Sequence, residues 1–154
     1  MERTIVLVKP DALQRGLVGD IVSRFERKGL KIVGMKMLTL TDEIVESWYE
    51  HHKDKSFFKD LKAYMQWTPI VAFVLEGLDA IPTVRNLVGI TKGREAEAGS
   101  IRGDFGMSSQ QNLIHASDSV EAATKEIKLI FDGDELFDYE SVVEQLIYAS
   151  EERS

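Results

Sequence analysis

The stretch TIVLVKP, Thr4 to Pro10, puts five β-branched or leucine residues in an unbroken row and then stops at a lysine and a proline. A short continuous apolar run of this kind is expected of a strand buried on both faces, at the centre of a sheet. Lys9 then falls at a strand tip. Beyond it, Val18, Ile21, Val22 and Phe25 recur at helical spacing, and Gly29 stands where a helix of that phase closes. Lys31 to Leu40 alternates loosely, with Val33, Met35 and Met37 read on one face, so a second strand with a more exposed side is expected. Thr41 caps a helix carrying Ile44, Val45 and Trp48, and Ser56 is expected to cap another with Phe57, Leu61 and Tyr64. Pro69 opens a third strand, Ile70 to Leu75, that ends at Glu76-Gly77. Ile81, Val84 and Val88 space a short helix, whereas residues 91 to 111 show no period; a loop of that length inside a compact domain is usually functional. Leu113-Ile114 reads as a short fourth strand. Asp118, with Glu121 three places on, reads as a capping-box start for a helix through Val120, Ala123, Ile127 and Ile130. The order β-α-β-α-α-β-α-loop-β-α is a split βαβ pattern and predicts an α+β fold with a four-stranded antiparallel sheet.

The composition narrows the chemistry. At 154 residues the chain has the length of one domain, residues 1–154, with no internal repeat, low-complexity segment or linker, and a polar end from Ser150 to Ser154. Zero cysteines exclude a disulfide framework, a thiolate zinc site and a cysteine nucleophile. The opening MERTIVLVKP has no signal-peptide layout and no apolar stretch approaches the length of a membrane span, so a soluble, cytoplasmic protein is expected. Lys plus Arg total 19 against 26 for Asp plus Glu, a net charge of −7, so no general attraction to nucleic acid is expected. Any anion site must be local.

One such site is suggested by NLIHASDS, Asn112 to Ser119, which sets His115 where the fourth strand hands over to a helix N-terminus. Backbone N–H groups and the helix dipole favour anions there. Imidazole as a class is largely neutral near pH 7 and attacks phosphorus without a separate base. A histidine taken singly is more often a packed or surface residue, so the surroundings decide. A transferring phosphoryl group needs fixed cationic donors, and Lys9 at a strand tip, Arg85 on the short helix and Arg102 in the long loop are candidates. In GSIRGDFG, Gly99 to Gly106, three glycines allow tight turns that aim Arg102. The triplet Asp104-Phe105-Gly106 is a chance match to a protein-kinase motif, because the Gly-rich loop and catalytic-loop pattern are missing, and no G-x-x-x-x-G-K-[ST] loop is present.

The strings VKPDALQRGLVGDI, RFERKGLKIVGMKM, HHKDKSFFKDL, SIRGDFG and NLIHASDS, in this order and spacing, resemble the nucleoside diphosphate kinase family, from Arg3 to about Tyr148. The resemblance implies a ferredoxin-like α/β sandwich and a ping-pong enzyme in which a nucleoside triphosphate phosphorylates a histidine that then phosphorylates a nucleoside diphosphate. It implies that His115 is the nucleophile, carrying the phosphoryl group on Nδ1, with Glu126 orienting the ring and Ser117 hydrogen-bonded close to both. Lys9, Tyr49, Arg85, Thr91, Arg102 and Asn112 match the family's positions around the phosphates and sugar hydroxyls, and Phe57 matches the residue on which the base stacks. Stacking reads any base, so broad specificity is implied. Magnesium is implied as an ion bridging substrate phosphates and waters, with no residue singled out as a metal ligand. The family also implies a homo-oligomer, usually a hexamer built from dimers, with the long loop near subunit contacts.

The chain departs from the family pattern in places. Lys92-Gly93-Arg94 and Ala98-Gly99 stand where prolines are usual, which predicts a less constrained loop. Ser108-Ser109 replaces an apolar residue facing the base, and His51 replaces an acid, the His51-His52 pair being expected at a solvated helix end. The alternative class is a non-catalytic ferredoxin-like nucleotide-binding or scaffold protein, against which the set of His115, Lys9, Arg102 and Asn112 counts. A relay of phosphate from the same histidine to protein targets is a third reading.

Overall fold

The structure is a computed structural model that describes residues 1–153; Ser154, the last residue of the polar end, lies outside the described residues. In chain order it runs β1 (Glu2–Val8), α1 (Pro10–Gln14), α2 (Val18–Lys28), β2 (Lys31–Leu38), α3 (Asp42–Trp48), α4 (Phe58–Met65), β3 (Ile70–Gly77), α5 (Ala80–Val88), α6 (Ile101–Phe105), β4 (Ile114–Ala116), α7 (Val120–Ile130) and α8 (Glu144–Ile147). The four strands form one antiparallel sheet in the order β2-β3-β1-β4. That is the split βαβ arrangement of a ferredoxin-like α/β sandwich. No helix among the described residues is long and apolar enough to cross a membrane.

β1 occupies the centre, and Thr4 to Val8 are all 0% exposed. Alternate side chains supply two cores. Val6 and Val8 pack with Ile21 and Phe25 of α2 and Val84 and Val88 of α5, while Ile5 and Leu7 pack with Val45 and Trp48 of α3, Met65 of α4 and Ile130 of α7. Helices on both faces explain why β1 shows no alternation in sequence. Gly29 closes α2 in the left-handed region at φ 99°, and the Thr41 side chain accepts from Ile44 N–H at 3.3 Å, both as the sequence predicts.

Several expectations are corrected. β2 carries a bulge between Ile32 and Gly34, so Val33 turns into the core beneath α3 while Met35 and Met37 stay exposed on the other side; the three do not share a face. α7 is capped by Ser119, whose Oγ accepts from Ala122 N–H at 3.1 Å, because the extended residue before the first helical turn is Ser119 rather than Asp118. α4 begins at Phe58, and Phe57 at its N-cap already has helical angles, which leaves Ser56 outside the capping position. Within 91–111, residues Gly93–Glu95 form a 3₁₀ turn and Ile101–Phe105 form α6, capped by Ser100 Oγ accepting from Gly103 N–H at 3.0 Å. Arg102 therefore stands on a helix, not in a loop.

Candidate active site

The end of β1, strand β4 and residues of the five helices α3 to α7 open onto a cleft of ≈ 660 Å³. Lys9, Tyr49, Phe57, Arg85, Thr91, Arg102, Asn112, His115 and Glu126 all line it, and Ser117 lies buried behind Glu126. Residues scattered through the sequence thus converge as the resemblance implied.

His115 sits in the middle of β4, paired with Leu7, with α7 beginning only at Val120. Its Nε2 is 3.0 Å from Glu126 Oε2, and Ser117 Oγ donates to the same oxygen at 2.6 Å. An ionised carboxylate is an acceptor only, so the network assigns the ring proton to Nε2 and the lone pair to Nδ1. Trp48 packs edge-on against the imidazole, ring centroids 5.1 Å apart. The ring is held by a hydrogen bond on one side and by an indole on another.

The cations are fixed by the turn that precedes β4. Lys9 Nζ donates to Asn112 Oδ1 at 2.7 Å, and Asn112 Nδ2 donates to Ser109 O at 2.8 Å and Thr91 O at 3.5 Å. Burial, with the nearby Arg102 charge, lowers the Lys9 pKa to about 8, against a smaller opposing pull from Asp11. Arg102 donates to the carbonyls of Asn112, Gly89 and Ile114 at 3.1, 2.9 and 2.6 Å. A guanidinium has five N–H groups, so donors remain for a ligand after the backbone is served. Burial and the Arg85 charge lower its pKa to about 10, still charged at neutral pH. Arg85 itself reaches Ala116 O at 3.5 Å. Burial, with the Glu126 charge, pushes the Tyr49 phenol up, so it stays a neutral donor.

Leu113, ahead of Ile114, adopts φ 75°, and Ile114 N–H donates to Asn112 O at 2.9 Å, closing a γ-turn of the rare, strained hand. Such a backbone costs about 1–3 kcal/mol. Burial of the Leu113 side chain, 0% exposed, contributes a similar amount, about 1.5–3 kcal/mol. The polar contacts of the turn therefore decide whether it holds.

The segment without prolines is held by other means. A Cβ at Gly93 would lie 2.5 Å from the Gly106 carbonyl carbon and one at Gly103 only 1.9 Å from Glu97 O, so these glycines let backbone meet backbone. Arg24 of α2 donates to Gly99 O at 2.7 Å and pairs with Asp104. The Ser108-Ser109 pair builds a turn, Ser108 Oγ accepting from Gln110 and Gln111 N–H at 3.1 and 3.2 Å. His51 and His52 close a 3₁₀ turn, Glu50–His52, as the expected helix end, and that end also lines the cleft mouth; His51 is exposed, and His52 is half-buried with its ring 5.3 Å from that of Phe57. Sequence reading missed Asp11 and the ring contact of Trp48, for neither of which periodicity or spacing carries a signal.

A sequence model of the nucleoside diphosphate kinase family matches residues 2–136. The chain belongs to the nucleoside diphosphate kinase family. It is 51% identical over 152 residues to a nucleoside diphosphate kinase of Parabacteroides distasonis, covering 99% of each chain. It is 52% identical over 148 residues to that of Archaeoglobus fulgidus, covering 96% of this chain and 98% of the relative. Among solved structures, the nucleoside diphosphate kinase of Halobacterium salinarum, determined in complex with CDP, superposes with a TM-score of 0.93 at 46% identity, over 96% of this chain and 99% of that one. A nucleoside diphosphate kinase family protein from Babesia bovis superposes equally well, TM-score 0.93 at 47% identity, over 96% and 100% of the two chains. Membership of the nucleoside diphosphate kinase family makes the chain a phosphotransferase, and a module that keeps the fold without turnover is not favoured.

Proposed function

We propose that the protein transfers the γ-phosphoryl group of a nucleoside triphosphate to a nucleoside diphosphate through a phosphohistidine at His115. The observation that carries the reading is the bond from His115 Nε2 to Glu126, which leaves the Nδ1 lone pair as the nucleophile. In the first half-reaction Nδ1 bonds to the γ-phosphorus as the bond to the β,γ-bridging oxygen breaks and the diphosphate leaves. The ring becomes cationic, and the Glu126 carboxylate, fixed by Ser117, stabilises it through the Nε2–H bond. In the second half an acceptor's terminal phosphate oxygen attacks the phosphorus, the P–N bond breaks and the neutral ring returns.

Lys9, Arg85, Arg102, Asn112, Tyr49 and Thr91 hold the phosphates and sugar hydroxyls, and Lys9 and Arg102 meet charge that grows on the transferring group. Lys9, Arg85 and Arg102 would hold the phosphates of a magnesium-bound nucleotide, whose ion would supply further neutralisation of phosphate charge. The cleft suits that arrangement, because its cations bind phosphate and no group of three or more metal-ligating side chains is found among the described residues. The base stacks on Phe57, 38% exposed at the cleft mouth, which supports broad base specificity. CDP in the Halobacterium salinarum relative is in keeping with such an acceptor.

The chain acts as a single domain, since both cores rest on one sheet. It assembles as a homo-oligomer, a hexamer built from dimers; the exposed Met35 and Met37 on edge strand β2 and Met107 beside the cleft segment supply apolar surface for contacts. A cytoplasmic, reducing setting suits a chain without cysteine. Initial rates measured against both nucleotides should give the parallel double-reciprocal lines of a ping-pong reaction, with His115→Ala inactive; intersecting lines would refute the phosphohistidine route.

A further inference from the structure

Asp11 does not line the cleft, yet three elements that build the cleft meet on its carboxylate. Tyr64 Oη of α4 donates to Oδ1 at 2.5 Å and Leu113 N–H donates to Oδ2 at 3.1 Å, while Asp11 itself stands in the first turn of α1. Leu113 is the residue held at φ 75° in the γ-turn. Its carbonyl accepts from Lys9 N–H at 2.9 Å, so the partner of its own N–H is the carboxylate. A charged acceptor makes the stronger kind of hydrogen bond. The turn it fixes sets both neighbours: Asn112, whose Oδ1 takes Lys9 Nζ, and Ile114, whose carbonyl takes Arg102, with His115 next along the strand.

We propose that Asp11 is a positioning residue for phosphoryl transfer, holding the strained Leu113 turn against α1 and Tyr64 so that Lys9, Asn112, Arg102 and His115 keep one relative geometry. The inference rests on the reading of His115 as nucleophile. A plain helix-dipole role accounts for it poorly, because α1 has five residues and the carboxylate reaches across the molecule instead of capping it.

Asp11 has a second effect through charge. Lys9 is pressed toward the neutral form by burial and by Arg102, and Asp11 opposes both. His115, Arg85, Tyr64 and Glu126 share the cleft with Lys9. Removing the Asp11 charge therefore lets Lys9 lose its proton at a lower pH.

Asp11→Asn and Asp11→Ala separate the two effects. The amide retains both contacts, Oδ1 accepting from Leu113 N–H and Nδ2 donating to Tyr64 Oη, but carries no charge. In steady-state kinetics from mildly acidic to mildly alkaline pH, Asp11→Ala is expected to lose about ten- to a hundredfold in kcat with a smaller change in KM. Asp11→Asn is expected to keep most of kcat at mildly acidic pH and to show its alkaline loss of activity at lower pH than wild type. Wild-type kcat in Asp11→Ala, or an alkaline limb that stays in place in Asp11→Asn, overturns the proposal. Should Asp11→Ala fail to fold, Tyr64→Phe replaces it, with an expected smaller fall in kcat; an unchanged kcat there counts against the proposal. Labelling of wild type with γ-labelled ATP runs alongside. An unlabelled wild type refutes the His115 reading itself, whereas a labelled wild type with unaffected variants refutes only the role of Asp11.

Discussion

At the level of single residues, several polar groups of the candidate site are already held by partners of their own, as Lys9, Arg102, Asn112 and His115 are. Glu126 receives both His115 Nε2 and Ser117 Oγ on one oxygen, so the imidazole neither spins nor changes tautomer freely. Glu126→Gln keeps the shape and removes the charge that steadies a cationic ring; single-turnover phosphorylation of the enzyme should slow by about ten- to a hundredfold, with the thermal midpoint little changed. A rate within twofold of wild type would deny the carboxylate that role. Lys9 makes a pH prediction. Its pKa of about 8 places deprotonation just above neutrality, so kcat/KM, which reports the free enzyme, should fall as pH rises through that value. Lys9→Arg, which stays charged, should remove that limb whatever it does to the maximum rate; persistence of the limb would assign it to another group.

Among elements, α6 and α7 do most to bring distant residues together. Gly103 lets α6 lie against the Glu97 carbonyl and so aims Arg102 at three backbone oxygens. A methyl group there has no space, and Gly103→Ala should cost about 1–3 kcal/mol in denaturant unfolding together with activity. Ser119→Ala should cost about 1 kcal/mol, against little for Asp118→Ala, if Ser119 is the cap of α7. The elements differ in how far they could be read in advance. β1 was legible because burial on both faces removes alternation, and the phase of Val18 to Phe25 with Gly29 made α2 plain. α6 was not, since five residues complete barely more than one turn and show no period. The β2 bulge was hidden for a related reason: one extra residue reverses the faces without altering composition. Of the candidate set, Lys9, Phe57, Arg102, Asn112, His115 and Ser117 were legible within the motif strings, and Tyr49, Arg85, Thr91 and Glu126 only through their spacing from them. Asp11 was not, because its partners Tyr64 and Leu113 lie 53 and 102 positions away, and such contacts exist only once the sheet is assembled.

Over the whole molecule, a charged cluster fastens the C-terminal segment to the sheet. Glu76, at the end of β3, receives Arg3 at 2.7 Å and Lys31 at 2.6 Å, and Lys31 also reaches Glu144 at 3.2 Å and Tyr139 O at 3.0 Å. Burial tends to raise the Glu76 carboxyl, but the bonds from Lys31 and Arg3 outweigh it and hold its pKa below the ordinary 4.5. A depressed carboxyl contributes stability that is present above its unfolded pKa and lost as pH falls through the folded value. Hydrogen exchange on acidification below the ordinary carboxylate range should therefore expose the amides of 137–148 before those of β1 and β3. Simultaneous exposure of both would show that the cluster adds nothing of its own.

A phosphoenzyme is the species that a nucleophilic His115 must form. Wild type and His115→Ala should be mixed with γ-labelled ATP and magnesium, freed of nucleotide, assayed for acid-labile label, and chased with unlabelled GDP. Label on wild type alone, returned as GTP, is the predicted result. A wild-type protein that binds nucleotide yet never takes up label would contradict it.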